Sequence, residues 1–201
     1  MRRWKTEDRV RTIRRTAIAL LVLAVAGAAG ARAQGESTAA REAYFGAVAE
    51  FFQLPRSEVT ILGDWRLGAD EIPVVLFVAR KAGVSPEALV ALRRSGQGWG
   101  ELVARYHLTA ALFHVPLPDR AAAGVLSSCF DRYRTTPVER WSEITLSDPD
   151  IVGLVNLRVL AQTLRMSPEA VLEQSGQGAW HELYLRLLGD ADPWPGLEWR
   201  E

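Results

Sequence analysis

The chain has a single cysteine, Cys129, and only three histidines among its 201 residues. One cysteine excludes an intramolecular disulfide, even in an oxidising compartment. The sequence contains no G-x-S-x-G, no P-loop and no G-x-G-x-x-G, so the signatures of α/β-hydrolases and of phosphate- and dinucleotide-binding loops are missing. Stability must therefore come from side-chain packing, to which the six tryptophans after residue 33 contribute large apolar surfaces.

A long membrane-spanning run is also missing. The apolar stretch Ala17–Ala29 is shorter than the roughly 20 residues that span a bilayer. Seven arginine and lysine residues precede it, and Ala31 and Ala33 supply small residues at the −3 and −1 positions of a cleavage site. We predict a signal peptide over residues 1–33, cleaved after Ala33, and a mature protein in the periplasm of a Gram-negative bacterium. The alternative is an uncleaved N-terminal anchor.

Removal of this segment changes the charge balance. Residues 1–33 hold eight of the 24 basic residues and two of the 24 acidic ones, which leaves 16 basic and 22 acidic residues, a net charge of −6. An acidic domain is repelled by phosphate backbones and by anionic membrane surfaces. The composition therefore argues against nucleic acid as a partner.

One motif occurs twice in the chain. The Ser-Gly-Gln-Gly-Trp sequence of Ser95–Trp99 returns, with one inserted alanine, over Ser175–Trp180. Each copy follows a Ser-Pro-Glu-Ala segment, at Ser85–Ala88 and Ser167–Ala170. After each tryptophan, apolar residues recur at the i, i+3, i+4, i+7 spacing of one helix face: Trp99, Leu102, Val103 and Tyr106 match Trp180, Leu183, Tyr184 and Leu187.

The similarity extends upstream at a constant offset, where Val59, Leu62, Leu67, Glu71 and Ile72 match Val138, Trp141, Leu146, Asp150 and Ile151. We predict an all-α domain of about nine helices, built from a duplicated helical unit and packed with an N-terminal aromatic helix. The predicted layout is a single domain over 34–189, with a helix at 37–54, repeat one at 57–108, a connector at 109–135, repeat two at 136–189 and an irregular tail at 190–201. Trp99 and Trp180 should occupy equivalent buried positions.

Local signals predict where several helices begin and end. Ser85 and Ser167 should cap helices that start at the following proline, and Thr136–Glu139 and Ser147–Asp150 both read as capping boxes. Gly96 and Gly176 should end helices in the left-handed conformation. Asp119 could cap a helix that contains Cys129, Phe130 and Tyr133. The β-branched residues of Val74–Ala79 raise the alternative of a strand, but comparison of the repeats favours a helix.

Few residues offer chemistry. His181-Glu182 lacks a second metal ligand at i+4, where Leu185 stands. A metal site built from His107, His114 and Cys129 remains an alternative, as does Cys129 as a nucleophile activated by a histidine.

The carboxylates Glu71 and Asp150 are equivalent in the repeats, as are Glu101 and Glu182. Duplication could pair such residues across a pseudo-twofold axis. Helix capping explains them more simply.

Two resemblances bear on function. Ser95–Leu108 resembles the helix-turn-helix of DNA-binding regulators, but Arg105 is the only basic residue near its second helix. Nearly the whole mature chain resembles a group of uncharacterised bacterial exported proteins, through Glu71–Phe77, the two Ser-Pro-Glu-Ala/Gly-x-Gly-Trp units and Ile144–Val152. That resemblance implies a secreted all-helical domain and carries over no catalytic residues.

The sequence therefore predicts a non-catalytic periplasmic binding or scaffolding module without a cofactor or bound metal. The predicted contact with another envelope protein is formed by Trp194, Leu197 and Trp199 in the tail, because aromatic residues carry much of the energy of small interfaces. The alternative is a periplasmic hydrolase or metal-dependent enzyme built around Glu101, Glu182, His181 or Cys129. A DNA-binding protein is the more distant alternative.

Overall fold

The computed structural model describes residues 38–176 and 178–190. These residues contain nine α-helices and no β-strand: α1 38–52, α2 Arg56–Gly63, α3 Ile72–Ala82, α4 Pro86–Arg94, α5 Trp99–Arg105, α6 Ser127–Thr135, α7 Asp148–Thr163, α8 Pro168–Glu173 and α9 Trp180–Asp190. Four short 3-10 helices lie between them, at Ala69–Glu71, Ala110–Leu112, Gly124–Leu126 and Val138–Glu143. The predicted all-α class is confirmed for this part of the chain.

The helices α3 and α7 form the centre of the fold and pack against each other. In α3 every residue from Ile72 to Ala79 is buried, so the β-branched run forms a helix whose whole circumference is covered. Burial on all sides explains why the apolar residues of this run continue without a break from Ile72 to Ala79. The prediction of a helix there is confirmed.

Around this pair, α2 and α4 pack on α3, while α5, α8 and α9 pack on α7. Gly153 in α7 allows the close approach of Leu126, because a Cβ at position 153 would lie 2.5 Å from Cδ2 of Leu126.

Among the described residues from Ala40 onward, which form one compact unit, no helix is long and apolar enough to cross a membrane.

Three predicted caps are confirmed. The Ser85 and Ser167 hydroxyls accept hydrogen bonds from the backbone N–H groups of Ala88 and Ala170 at 3.3 and 3.2 Å. Ser147 and Asp150 form a capping box at the start of α7, in which each side chain accepts from the backbone of the other. These interactions need residues only three positions apart.

Other local predictions are wrong. Val138–Glu143 is a 3-10 helix that follows Pro137, and it has no side-chain cap, so Thr136–Glu139 is not a capping box. Asp119 does not cap α6, which begins at Ser127 after a 3-10 turn. Gly96 has the expected positive φ of 96°, but Gly176 does not adopt the left-handed region.

One polar side chain, Asn156 of α7, is fully buried among the described residues. Its Oδ1 accepts a hydrogen bond from the hydroxyl of Tyr44, and its Nδ2 donates to the carbonyls of Asp70 and Val152 at 2.8 and 2.7 Å. Both ends of the amide are therefore satisfied, as burial of a polar group requires. The side chain ties α1 and the start of α3 to α7.

Candidate functional site

Glu71 has a structural role at the start of α3. Its Oε2 accepts from the backbone N–H of Gly68 at 3.2 Å, while its Oε1 accepts from the indole Nε1 of Trp99 at 2.9 Å and from Nη2 of Arg93 at 2.5 Å. Trp99 is fully buried under the Arg93 guanidinium, whose carbon lies 4.8 Å from the ring centroid. This carboxylate is fully engaged in holding three elements together.

Asp150, the residue at the matching position of repeat two, has similar partners. It accepts from the Ser147 backbone at 2.8 Å and from Nη2 of Arg132 at 2.5 Å. Cys129 lies beside this pair, and burial, followed by the negative charge of Asp150, raises its pKa to about 12. A thiol with that pKa is protonated at neutral pH, which is the opposite of what a nucleophilic cysteine requires.

Two aspartates that the sequence analysis did not single out as candidates cap helices far from them in sequence. Asp148, at the start of α7, accepts from the backbone N–H of Gly100 in α5 at 3.0 Å. Asp70, just before α3, accepts from the backbone N–H groups of Trp180 and His181 in α9 at 2.8 and 3.0 Å. Each carboxylate satisfies donors at a helix N-terminus, where negative charge is favourable. Each therefore fixes the position of a helix that begins at a tryptophan of the repeated motif.

His181 is bound to the same carboxylate, since its Nδ1 lies 2.7 Å from Oδ1 of Asp70. The hydrogen bond to Asp70 raises the pKa of His181, although partial burial opposes the shift. Within the described chain, no group of three or more histidine, cysteine or acidic residues is arranged to hold a metal ion. The structure therefore places His181 in a hydrogen bond with Asp70, which is an ion pair when the imidazole is protonated.

The carboxylates Glu101 and Glu182 differ in surroundings. Glu101 accepts from the backbone N–H of Gly98 at 2.9 Å and so caps its own helix, α5. Glu182 is exposed on α9.

His107 is exposed at the end of α5 with φ of 55°, while His114 lies in an aromatic cluster. The structure does not combine His107, His114 and Cys129 into a metal site.

The two tryptophans of the repeated motif are not equally buried. Trp99 is fully buried, whereas Trp180 is half-buried, so the expectation of equivalent burial is wrong. Arg93 covers Trp99, but Glu173 stands at the matching position before the second motif and is exposed. A groove of about 280 Å³ lies beside Trp180, lined also by Asp150 and Arg186.

A larger pocket of about 530 Å³ lies where the extended segment after Phe113 meets α6 and the 3-10 helix Val138–Glu143. We call it the connector pocket. Its lining combines aromatic and apolar residues with polar ones: His114, Leu117, Phe130, Tyr133, Pro137, Val138 and Trp141, together with Asp119, Arg134, Thr135 and Thr136. Ring centroids of His114 lie 4.2 Å from Trp141 and 4.9 Å from Tyr133, so three aromatic rings line one side. Its volume falls in the range of small-molecule sites, about 300–1,000 Å³.

The pKa values of two side chains in the connector pocket, His114 and Tyr133, are shifted so that the uncharged form is favoured. Burial, helped by the positive charge of Arg158, lowers the pKa of His114, and burial raises the pKa of Tyr133 well above its usual value of 10.0. Both side chains are therefore neutral at pH 7. Asp119 and Arg134 carry charge on the lining of the pocket.

Sequence reasoning did not identify this pocket. The sequence suggested His114 as a metal candidate, Tyr133 as part of a helix in the connector and Trp141 as a repeat position. No local pattern marks the pocket, because His114, Tyr133 and Trp141 are far apart in the sequence. The predicted contact residues of the tail, Trp194, Leu197 and Trp199, lie outside the described residues.

No protein-family model, no curated protein sequence and no solved structure matches the chain.

Proposed function

We propose that this protein is an exported, non-catalytic binding module and that the connector pocket holds its ligand. The observation that carries this proposal is the pocket itself, a cleft of about 530 Å³ where aromatic and apolar side chains meet the polar residues Asp119, Arg134, Thr135 and Thr136. A concave cleft of this volume that contains groups with shifted pKa values is a common form of ligand site.

The candidate catalytic groups support a non-catalytic role. Glu71, Glu101 and Asp150 accept hydrogen bonds at helix N-termini, and His181 is bound to Asp70. A general acid or base must be free to exchange its proton with a substrate. These carboxylates instead hold helix ends in place.

Binding at the connector pocket is tested by ligand-observed NMR with a library of neutral aromatic fragments. Val138 is 64% exposed on the pocket wall, and Ile61 is 55% exposed on α2, so the pair offers matched substitutions that leave the core intact. Val138→Glu should weaken the bound fragments at least about threefold by adding charge to an apolar wall, whereas Ile61→Glu should not. Fragments that bind equally to both variants, or no binding at all, would reject the pocket as the site.

The architecture that we propose is a duplicated unit packed with an N-terminal aromatic helix. Reciprocal capping supports it: Asp70, before α3, caps α9, and Asp148, at the start of α7, caps α5. Glu71 and Asp150, which match in the repeats, each accept from the backbone N–H three residues earlier, in the 3-10 helix before α3 and at the start of α7. Two similar contacts, from aspartates one position apart in the alignment of the repeats, are consistent with a pseudo-twofold arrangement of two copies.

We further propose export to the periplasm with cleavage after Ala33. The mass of the protein recovered from a periplasmic extract tests this, because a mature chain begins at Gln34. An intact chain in the membrane fraction would identify an anchored protein.

The proposed partner contact is the tail, through Trp194, Leu197 and Trp199. Crosslinking in periplasmic extract, with the full mature chain and with a triple alanine variant at these positions, tests it. A crosslinked partner that is retained by the variant would exclude the tail as the contact.

A further inference from the structure

The second tryptophan of the repeated motif lacks the cover that the first one has. Trp99 is fully buried, with the Arg93 guanidinium over its ring and its Nε1 donating to Glu71. Trp180 is only half-buried, and its Nε1 neither bonds to a residue that the structure describes nor is fully enclosed. The exposed Glu173 stands at the position that matches Arg93. The described part of the second copy therefore leaves the Trp180 side chain partly open.

The groove beside Trp180, which we call the Trp180 groove, has a volume of about 280 Å³. Leu126 and Leu183 line it and are themselves buried. The apolar surface that remains open comes from Val125, which is 43% exposed, from the exposed Pro149 and from the half-buried Trp180. Contact between this surface and other apolar side chains is favourable, because it removes both from water.

Two charged side chains line the Trp180 groove, and only one of them has a counter-ion. Asp150 accepts from Nη2 of Arg132 at 2.5 Å, so its charge is balanced. Arg186 is exposed, and its Nη2 donates to the carbonyl of Gln174 at 3.3 Å. It forms no ion pair with an acidic residue that the structure describes, including Glu182 on the preceding turn of α9. The charge left for an occupant of the groove is therefore positive.

The tail that follows α9 has the complementary composition. Residues 191–201 hold three acidic residues and one basic residue, a net charge of −2, and their large apolar side chains are Trp194, Leu197 and Trp199. Apolar side chains match the open surface of the groove, and a carboxylate matches the unbalanced guanidinium of Arg186.

The tail is also long enough to reach the groove. The 11 residues of α9 span about 16 Å, and Trp180 stands at the first of them. A chain can extend by about 3.3 Å per residue, so the seven residues from 191 to Leu197 reach back as far as about 23 Å. Leu197 and Trp199 can therefore return along α9 to its first turn.

We propose that residues 194–199 of this chain dock in the Trp180 groove, with their apolar side chains against Val125, Pro149 and Trp180 and a carboxylate at Arg186. The connector pocket plays no part in this contact. The groove gives the tail a site within its own chain, so an envelope partner that binds the tail has to compete with the groove for it.

A synthetic peptide of residues 190–201 tests the contact on two full mature chains, the wild type and a variant with Trp194, Leu197 and Trp199 all changed to alanine. Binding is measured by fluorescence anisotropy of the labelled peptide. The peptide should bind the alanine variant at least about tenfold more tightly than the wild type, because the tethered tail competes at an effective concentration in the millimolar range. Equal affinity for both chains, or binding to neither, would overturn the proposal.

Substitutions added to the alanine variant locate the bound peptide. Val125→Glu should weaken the peptide at least about fivefold, because it adds a negative charge to the open apolar surface. Ile61→Glu is the matched control, since Ile61 is 55% exposed on α2 and does not line the groove. Arg186→Gln should weaken the peptide about twofold or more, whereas Arg94→Gln, at an exposed arginine of α4, should not. Equal effects of groove and control substitutions would place the peptide elsewhere and overturn the proposal.

Sedimentation velocity at several concentrations tests whether a second copy supplies the tail. The wild type should show no self-association, and a dimer that the triple alanine variant abolishes would assign the groove to the tail of another copy and overturn the contact within one chain. Fragment binding at the connector pocket should be the same in all these variants, so failure of the tail contact leaves the proposed function standing.

Discussion

Replacement of Asn156 by alanine should destabilise the fold strongly, because this buried amide satisfies polar groups on two other segments. The variant leaves the Tyr44 hydroxyl, which is fully buried, and the Asp70 carbonyl without their partner. Each orphaned buried group costs about 1–3 kcal/mol. With the lost packing of the side chain, the expected loss is about 3–5 kcal/mol, a large share of the roughly 5–15 kcal/mol typical of a domain.

A double-mutant cycle separates the Tyr44–Asn156 bond from the other effects. Tyr44→Phe keeps the ring and orphans only Oδ1 of Asn156, so it should cost about 1–2 kcal/mol. In the double variant neither partner is left unpaired, and the combined loss should be about 1–2 kcal/mol smaller than the sum of the two single losses.

The assay is urea unfolding of the four chains, followed by far-UV circular dichroism, with equal m-values as the condition for comparison. Tyr106→Phe combined with Asn156→Ala serves as the control, because the described partners of Asn156 are Tyr44, Asp70 and Val152. Additivity of Tyr44→Phe and Asn156→Ala within about 0.5 kcal/mol would refute the coupling that we infer.

Three further predictions follow from burial and charge. Trp99→Ala should cost about 3–5 kcal/mol and Trp180→Ala clearly less in chemical unfolding, because only Trp99 is fully buried; equal losses would contradict this. The pKa of His181 is raised by Asp70, so its stabilising contribution is fully present below about pH 6.5 and is lost as the pH rises through the folded pKa. The free energy of unfolding of the wild type should therefore exceed that of His181→Gln by less at pH 9 than at pH 6. A difference that stays constant over this range would argue against the ion pair. Cys129, with a pKa of about 12 and no exposed surface, should react with a thiol reagent at pH 8 only after unfolding; rapid reaction of the native protein would refute its burial.

The sequence predicted interactions that need only neighbouring residues. The Ser85, Ser147 and Ser167 caps follow from residues three positions apart, and these local patterns are present in the structure. The helix over Ile72–Ala82 was predicted through comparison of the repeats, since its own β-branched residues also suited a strand. At Thr136–Glu139 the sequence has the pattern of a capping box, but no capping box forms there, so the local pattern alone was not sufficient to predict the structure.

The sequence by itself determined the all-helical class, the positions of these caps and the apolar stripes that follow each tryptophan. Only the tertiary structure decided which carboxylate meets which helix: Asp148 caps α5 across 48 residues, and Asp70 caps α9 across 110. It also brought His114, Tyr133 and Trp141 together around one pocket. Such contacts depend on how α3 and α7 pack, because a helix N-terminus accepts any nearby carboxylate and the local sequence does not specify which one arrives.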